Sequence, residues 1–300
     1  VYGDWRMPNN DGIDPVSCTN FTVDGCDVNT ADDAISPKSA LKLPNGSYLP
    51  SRGLVVRNSR LRSRSFAIKI GTETYGDMSD ILVDRVQIYD SHQGIGIDWR
   101  RPGRLTKAHF TNIQIFRANW CGSGNYSHQN WMGNAQPIFV SNAVPVWPTP
   151  SSVPAGPIHD LLFENITSVS ENGVLIAGRP SAVEAAGAAP SISDVRFVNV
   201  RVLIQQRPQN SGSNGPHPSR SDRQEVRVGE DRAAHTDDTN REELVDAFYV
   251  EHATAVSFVG CSAAFEGEAM TGNSFGSCVR FGNGTGSSPT PKLDSCVHPG

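Results

Sequence analysis

Apolar residues recur along this chain in one fixed spacing that appears seven times. In stretches such as "DILVDRVQI" and "DVRFVNVRV", inward-type residues occupy the second, fourth, seventh and ninth positions. Two alternating pairs separated by a one-residue slip predict two short strands joined by a tight bend. The seven stretches have their first apolar position at Phe21, Leu54, Ile81, Ala108, Leu161, Val195 and Val256.

Asparagine marks the predicted bend in four of the seven stretches. Asn58, Asn112, Asn165 and Asn199 each directly precede the third apolar position. Asparagine tolerates the left-handed backbone conformation that such a bend requires, and its side chain can bond to an equivalent residue in a neighbouring coil. The pattern therefore predicts a ladder of stacked asparagine bends.

The intervals between the stretches indicate how the chain is wound. The short intervals, such as 27 and 33 residues, fit one coil of a parallel β-helix. The long intervals, up to 61 residues, fit either a coil that carries a loop or two coils of which one is degenerate. A further apolar strand recurs between the bends, as in "AIKI" at 67–70, which makes about three strands per coil. We expect an all-β solenoid, a parallel β-helix. The alternative is an antiparallel sandwich, which is disfavoured because Asn-Gly hairpin signals are nearly absent.

Two segments interrupt the repeat. The proline-rich segment 141–157 is predicted to be a surface loop, and the polar segment 205–243 lacks the apolar residues needed to fold alone. We therefore expect a single domain with long loop insertions: β-helix coils over 1–204, a polar exposed insertion over 205–243, and the last coil with a C-terminal cap over 244–300. No amphipathic helix precedes the first coil. An open edge pairs readily with other strands, so we expect another chain or an upstream segment to complete the N-terminal coils.

Charge and composition narrow the partners. The formal net charge of −5 and the pI of about 5.9 argue against a nucleic-acid partner. No apolar run approaches the roughly 18 residues of a membrane span. Six cysteines without a CxxC pair, together with five sequons, favour a secreted glycoprotein, and we expect one disulfide within the trio Cys261, Cys278 and Cys296. The predicted glycosylation sites are Asn20, Asn45, Asn125, Asn165 and Asn283.

Three aspartates near the start of the chain are candidates for acid–base chemistry. Asp11 lies 21 and 22 residues before Asp32 and Asp33, which is about one short coil. Equivalent positions on successive coils stand about 4.8 Å apart, so stacking would bring three carboxyl groups onto one outer face. Hydrolysis of a glycosidic bond requires a protonated acid and a carboxylate base, and crowding of like charges raises one pKa. The alternative is that these are solvated turn aspartates.

The segment "NNDGIDP…ADDAISPKS" resembles the "NTDGIDP…GDDxIxxKS" signature of glycoside hydrolase family 28, the polygalacturonases and their relatives, and is most similar to the plant-type branch. The resemblance implies a right-handed parallel β-helix and an inverting mechanism without cofactor or metal. It implies that Asp32 is the general acid and that Asp11 and Asp33 position and deprotonate the attacking water. It also implies that Asn10 shapes the site and that Lys38 belongs to it.

The chain differs from this family at the motifs that bind the substrate. The family's Gly-His-Gly becomes Ser-Phe-Ala at 65–67, and its Arg-Ile-Lys becomes Gly96-Ile97-Asp98. Two cations are lost and an anion is gained, which would repel a uronate. Arg100 is a candidate replacement cation, and Asp98 is a candidate hydrogen-bonding partner of sugar hydroxyls. The aromatic residues after the site either stack on sugar rings or pack under loops; they are Trp99, Trp120, Tyr126 and Trp131.

These observations lead to competing hypotheses of function. The first is a secreted inverting glycoside hydrolase that acts on a cell-wall or extracellular polysaccharide other than plain homogalacturonan. The second is a non-catalytic structural or glycan-binding extracellular protein that assembles end to end into fibres. A β-helix lyase or epimerase is the third, and it is disfavoured because those reactions usually use cations on a uronate.

Overall fold

The protein is a right-handed parallel β-helix, as the sequence predicts. The computed structural model describes residues 1–4, 7, 9–118, 135–142, 155–179, 191–205, 243–267, 273–282 and 293–298. Within these ranges the named strands pair only in parallel, and consecutive strands alternate between two large sheets. Such crossover connections between parallel strands are right-handed. None of the described residues forms a helix of the length and apolar character that crossing a bilayer requires.

The first sheet is formed by the long bent strands that the repeat predicts. It has ten strands, and five of them run along its centre. They are β3 (Ser51–Ser63), β5 (Met78–Ile88), β7 (Leu105–Ala118), β9 (Ile158–Ser170) and β11 (Ile192–Gln205). At the ends of the stack the two halves of the bent strand are separate elements. These are β1 (Thr22–Asp24) and β2 (Asp27–Thr30) at one end, and β14 (Ala253–Val259), β15 (Ser262–Glu266) and β18 (Ser295–Val297) at the other.

The second sheet closes the coils. Its six strands are β4 (Phe66–Thr72), β6 (Gln93–Trp99), β8 (Ile138–Ser141), β10 (Val174–Ala177), β13 (Phe248–Glu251) and β17 (Arg280–Phe281). A separate pair consists of β12 (Glu243–Val245) and β16 (Asn273–Phe275). Residues 206–242 lie outside the described residues. The β-helix resumes after them with β12. The predicted domain boundaries at 204/205 and 243/244 stay a prediction.

The core is a set of stacked columns between the two sheets, and their register matches the predicted apolar positions. Phe110, Phe163, Phe197 and Phe258 are aligned across β7, β9, β11 and β14. Their rings stack with centroid distances of 5.0 and 5.1 Å. Parallel, in-register pairing places like residues on top of one another, which buries them along the whole stack.

The asparagine ladder is confirmed. Asn58, Asn112, Asn165 and Asn199 all have φ between 51° and 55°. The side-chain amide of Asn199 donates to Asn165, and that of Asn165 donates to Asn112, over 3.1 and 3.3 Å. The bends therefore hold the coils in register through side chains where the backbone ladder is interrupted.

Cysteine pairing agrees with the expectation for the C-terminal trio. Cys278 and Cys296 form a disulfide across 18 residues, and Cys261 is a buried thiol. Cys18 and Cys26 are half-buried thiols near the first coil. Residues 143–154 of the predicted proline-rich loop lie outside the described residues.

Replacing Asn112 with alanine is expected to destabilise the fold by about 2 kcal/mol. Alanine is disfavoured at the positive φ of this bend, and it has no side-chain amide to join the ladder. Asn112→Gly should cost less, since glycine adopts this conformation freely and occupies the equivalent bend at Gly260, where φ is 66°. Urea unfolding of both variants measures the difference. Equal losses in the two variants would contradict the role assigned to backbone conformation.

Candidate active site

Stacking of the two first turns brings the predicted acids together. The Gly12 amide donates to the carbonyl of Asp33 over 2.9 Å, and the Asp32 amide donates to the carbonyl of Asn10 over 3.3 Å. Ile13 is bridged to Ile35 in the same parallel register. Asp11 is therefore the neighbour of Asp33 on the adjacent coil, as the 22-residue spacing predicts.

Asp33 is held in a nearly buried ion pair with Lys69. One carboxyl oxygen accepts a hydrogen bond from the Phe66 amide over 3.1 Å, and the other lies 2.9 Å from the Lys69 ammonium. The two side chains are 4% and 12% exposed. Burial acts to lower the pKa of Lys69, but the charges of Asp33 and Asp98 raise it above the ordinary value. Lys69 thus stays an ammonium ion in the middle of the acidic cluster.

The other two acids have raised pKa values. Burial, followed by the charge of Asp33, raises the pKa of Asp32, and Lys69 opposes this shift. Burial, together with the charges of Asp33, Asp32 and Asp14, raises the pKa of Asp11 to about 7. A carboxyl group with a pKa of about 7, such as Asp11, can exchange a proton near neutral pH, and raised carboxyl pKa values are typical of sites of acid–base chemistry.

Lys38 and Asn10 lie close to these acids in the structure, and their roles in a site stay a prediction. The Lys38 ammonium is 2.5 Å from Asp14, 3.6 Å from Asp11 and 3.7 Å from Glu73. Burial acts to lower its pKa, but the hydrogen bond and charge of Asp14 raise it overall. The side-chain amide of Asn10 donates to the Asp4 carbonyl over 3.2 Å. Asn10 therefore orders the turn that carries Asp11.

Asp98 and Arg100, which the sequence suggests as separate substrate-binding residues, pair with each other in the structure, and their roles toward a substrate stay a prediction. The Arg100 guanidinium donates to Asp98 over 2.8 Å, and Asp98 is 3% exposed. Asp98 lies on β6, whose neighbouring strand β4 carries Lys69. A carboxylate between two cations is well suited to fixed hydrogen bonding rather than to proton transfer.

Phe66 and Gly96 are complementary in shape. A Cβ atom at Gly96 would lie 2.2 Å from the Phe66 ring. Any side chain at position 96 would therefore require the Phe66 ring to move. The Phe66 ring also packs against Phe139, with centroids 6.0 Å apart, so this part of the outer face is apolar.

The expected sugar stacking by Trp99 is contradicted by its position. Its side chain is fully buried in the core, and its indole nitrogen donates to the carbonyl of Gly103 over 2.6 Å. Successive side chains of β6 point to opposite faces of the sheet. Because Asp98 faces outward, Trp99 faces the core. Trp120, Tyr126 and Trp131 lie outside the described residues, so their role stays a prediction.

Sequence reasoning missed Lys69. In "AIKI" the lysine stands between Ile68 and Ile70, both of which face the core. Strand alternation alone therefore places Lys69 on the outer face. Its position beside Asp33 and Asp98, however, depends on which coils and strands pair, and only the folded chain shows this.

The sequons within the described residues are exposed. Asn20 and Asn165 lie at bends with positive φ, and Asn45 accepts hydrogen bonds from the amide and hydroxyl of Ser47. Asn125 and Asn283 lie outside the described residues. Glycosylation of all five stays a prediction.

One group of residues within the described ranges has the spacing of a metal site. Cys278, Cys296 and His298 offer ligand atoms within 4.8 Å of one another. The first two are joined as a disulfide, and a disulfide sulfur is not the thiolate that binds metal.

The fold and this cluster define a class: a parallel β-helix with a group of closely spaced carboxyl groups beside its second sheet. Comparison with known proteins adds a relative. No protein-family model matches the chain. Over 179 residues, 54% of the chain, it is 26% identical to a probable polygalacturonase of Vitis vinifera, covering 36% of that protein. The chain thus spans little more than a third of this relative's length.

A solved structure is also similar. The family 28 exopolygalacturonase of Yersinia enterocolitica aligns with 97% of this chain and 38% of its own, at 15% identity and a TM-score of 0.47.

Replacing Asp11 with asparagine is expected to stabilise the protein above pH 7. Its folded-state pKa of about 7 exceeds the ordinary 3.8, so the folded chain holds a proton that the unfolded chain has released between these values. Stability therefore falls as the pH rises through this range. Asp11→Asn should raise the free energy of unfolding by about 2 kcal/mol at pH 8 and leave it unchanged below pH 4. Urea unfolding at pH 3.5, 6 and 8, as test conditions, measures this; a pH-independent difference would contradict it.

Replacing Lys69 with methionine is expected to cost about 3 kcal/mol at pH 7, because Asp33 is left as a buried carboxylate without its cation. The double variant Lys69→Met/Asp33→Asn should recover most of this loss. Lys107→Met is the matched control, since Lys107 is 66% exposed and 3.8 Å from Asp80. Thermal unfolding distinguishes the variants, and equal losses in Lys69→Met and Lys107→Met would show that the buried pair contributes nothing.

Proposed function

We propose that this chain is part of a secreted inverting glycoside hydrolase that acts on a cell-wall or extracellular polysaccharide other than plain homogalacturonan. The observation that carries the proposal is the cluster of Asp11, Asp32 and Asp33. These side chains lie on adjacent coils, and the pKa values of two of them are raised. The similarity to a probable polygalacturonase supports the same reaction class.

The roles follow from the surroundings of each carboxyl group. Asp32, whose raised pKa favours the protonated form, donates its proton to the leaving glycosidic oxygen. Asp11 and Asp33 hold a water molecule and remove its proton as its oxygen attacks the anomeric carbon. Lys69 keeps negative charge on Asp33 favourable while Asp32 stays protonated. Attack from the face opposite the leaving group inverts the anomeric configuration.

The charge of the site supports a neutral rather than an anionic sugar. The cluster and the charged residues around it together contain six carboxyl groups and three cations. Each cation is already paired with a carboxylate. A uronate would add negative charge to a site with no unpaired cation among these three, which costs binding energy. The groups counted are Asp11, Asp14, Asp32, Asp33, Glu73, Asp98, Lys38, Lys69 and Arg100.

Release of reducing ends from a panel of neutral and acidic polysaccharides tests the proposal. Asp32→Asn should lower the rate about 10³-fold, because asparagine cannot protonate the leaving oxygen. Asp194→Asn is the matched control: it makes the same chemical change at an exposed bend with φ of 55° and should leave the rate unchanged. Proton NMR of the first product should show the inverted anomer. Retention, or activity that persists in Asp32→Asn, would contradict the mechanism.

Secretion is part of the proposal, and it is supported by the Cys278–Cys296 disulfide and the exposed sequons. Mass spectrometry of the protein purified from its source, before and after removal of N-linked glycans, tests it. Unmodified asparagine at all five sequons would argue against passage through a eukaryotic secretory pathway.

A non-catalytic glycan-binding or structural protein is the second candidate. The observation that favours it is that Asp33 and Asp98 are each 3% exposed and tied to a cation. Such a protein would bind oligosaccharides without hydrolysing them. Absence of hydrolysis over the whole polysaccharide panel, with Asp32→Asn binding as well as the wild type, would select this candidate.

A further inference from the structure

Two tyrosines form a stacked pair at the edge of the acidic site. The rings of Tyr48 and Tyr75 lie 4.7 Å apart at their centroids, with 13° between their planes. The Arg101 guanidinium lies 5.0 Å from the centroid of the Tyr75 ring. Both tyrosines are half-buried, and neither belongs to the hydrophobic core formed by the described residues. Large aromatic rings are thus held at the surface rather than packed inside.

Tyr48, Tyr75 and Arg101 come from equivalent turns of successive coils. Each of these turns follows the part of the coil that lies at the second sheet. Ser39 is bridged to Thr74, and the Thr74 hydroxyl accepts a hydrogen bond from the Arg101 amide over 3.1 Å. Tyr48 closes a short hairpin with Lys42. Backbone bonds therefore fix the turns, and the ring faces need little further ordering when a ligand arrives.

The turn that carries Tyr75 also reaches the proposed acids. Glu73 lies two residues before Tyr75, and its carboxylate is 3.7 Å from the Lys38 ammonium. The same ammonium is 3.6 Å from Asp11. The segment that presents the Tyr75 ring therefore also carries a carboxylate that is linked through Lys38 to the acidic site.

The chemistry of this surface matches a sugar ring. The apolar C–H face of a pyranose packs on an aromatic face, and charged groups at its rim bond to the hydroxyls. The Arg101 guanidinium lies over the Tyr75 ring and provides a hydrogen-bond donor beside it. The excess of carboxyl groups in the nearby acidic site favours a neutral pyranose over a uronate.

We propose that Tyr48, Tyr75 and Arg101 form a glycan-binding subsite that holds a neutral pyranose next to the acidic cluster. The proposal rests on the proposed function for the identity of the polymer, but it concerns binding and not bond cleavage. It assigns to these tyrosines the stacking role that the sequence assigned to Trp99, which is buried.

Chemical footprinting of the wild-type chain tests the subsite without any substitution. Nitration of tyrosines by tetranitromethane is followed by peptide mass spectrometry, with and without hexasaccharides of galactan, mannan, xylan and homogalacturonan. A neutral hexasaccharide should slow nitration of Tyr48 and Tyr75 at least fivefold. Tyr89 is the internal control, because Arg60 lies 5.1 Å from its ring, and its own charged neighbours are Asp27, Arg60 and Arg62. Unchanged nitration of Tyr48 and Tyr75 with all four probes would overturn the proposal.

Substitutions then separate the subsite from catalysis. These variants are made in the inactive Asp32→Asn protein, so that the hexasaccharide stays intact. In that background, Tyr48→Leu and Tyr75→Leu should each weaken binding of the protecting hexasaccharide about tenfold, as measured by calorimetry, whereas Tyr89→Leu should leave it unchanged. Tyr48→Phe keeps the ring and should bind as well as the parent. In the active protein, Tyr75→Leu should raise KM about tenfold with little change in kcat.

The outcomes distinguish failure of the subsite from failure of the proposed function. Loss of binding in the leucine variants, without hydrolysis by the wild type, supports the subsite and refutes the hydrolase. Hydrolysis with unchanged KM in both leucine variants overturns the subsite and leaves the hydrolase standing. Equal weakening by Tyr48→Phe and Tyr48→Leu would show that the ring is not the binding element, which also overturns the subsite.

Discussion

Parallel stacking in register is the constraint on which the rest of this structure depends. Each backbone bond between coils fixes which residue lies above which, so that one phenylalanine column runs through β7, β9, β11 and β14. The same register turns a separation of 22 residues in sequence into direct adjacency of Asp11 and Asp33. The core and the site therefore have one physical origin, the spacing of neighbouring parallel strands.

The site brings several carboxylates close together, and cations placed between them reduce the repulsion. Lys69 stabilises Asp33 within a nearly buried pair, and Lys38 bridges Asp11 and Asp14. Incomplete compensation has a chemical consequence, because the remaining repulsion and burial raise the pKa values of Asp11 and Asp32. A cluster neutralised completely would be a structural network, whereas here burial and repulsion raise the pKa of Asp11 to about 7.

Packing and pairing also decide which groups around this cluster are open to a ligand. Phe66 fills the space beside Gly96 and packs against Phe139, so this part of the outer face is apolar. Lys69 brings positive charge to the neighbouring strand, but its ammonium is directed at Asp33. The cations of the site are therefore engaged with its own carboxylates, as the Lys38 and Arg100 pairs also show.

The sequence by itself determined the coil repeat, the asparagine bends and the candidate acids, because strand alternation and left-handed bends are local properties of the chain. It also suggested Lys38, Asp98 and Arg100 as candidate site residues. The tertiary structure alone decided that Lys69 pairs with Asp33, that Trp99 lies inside, and that Tyr48 stacks on Tyr75. These contacts join residues of different coils, so they depend on the pairing register and on loop lengths, which no local pattern specifies.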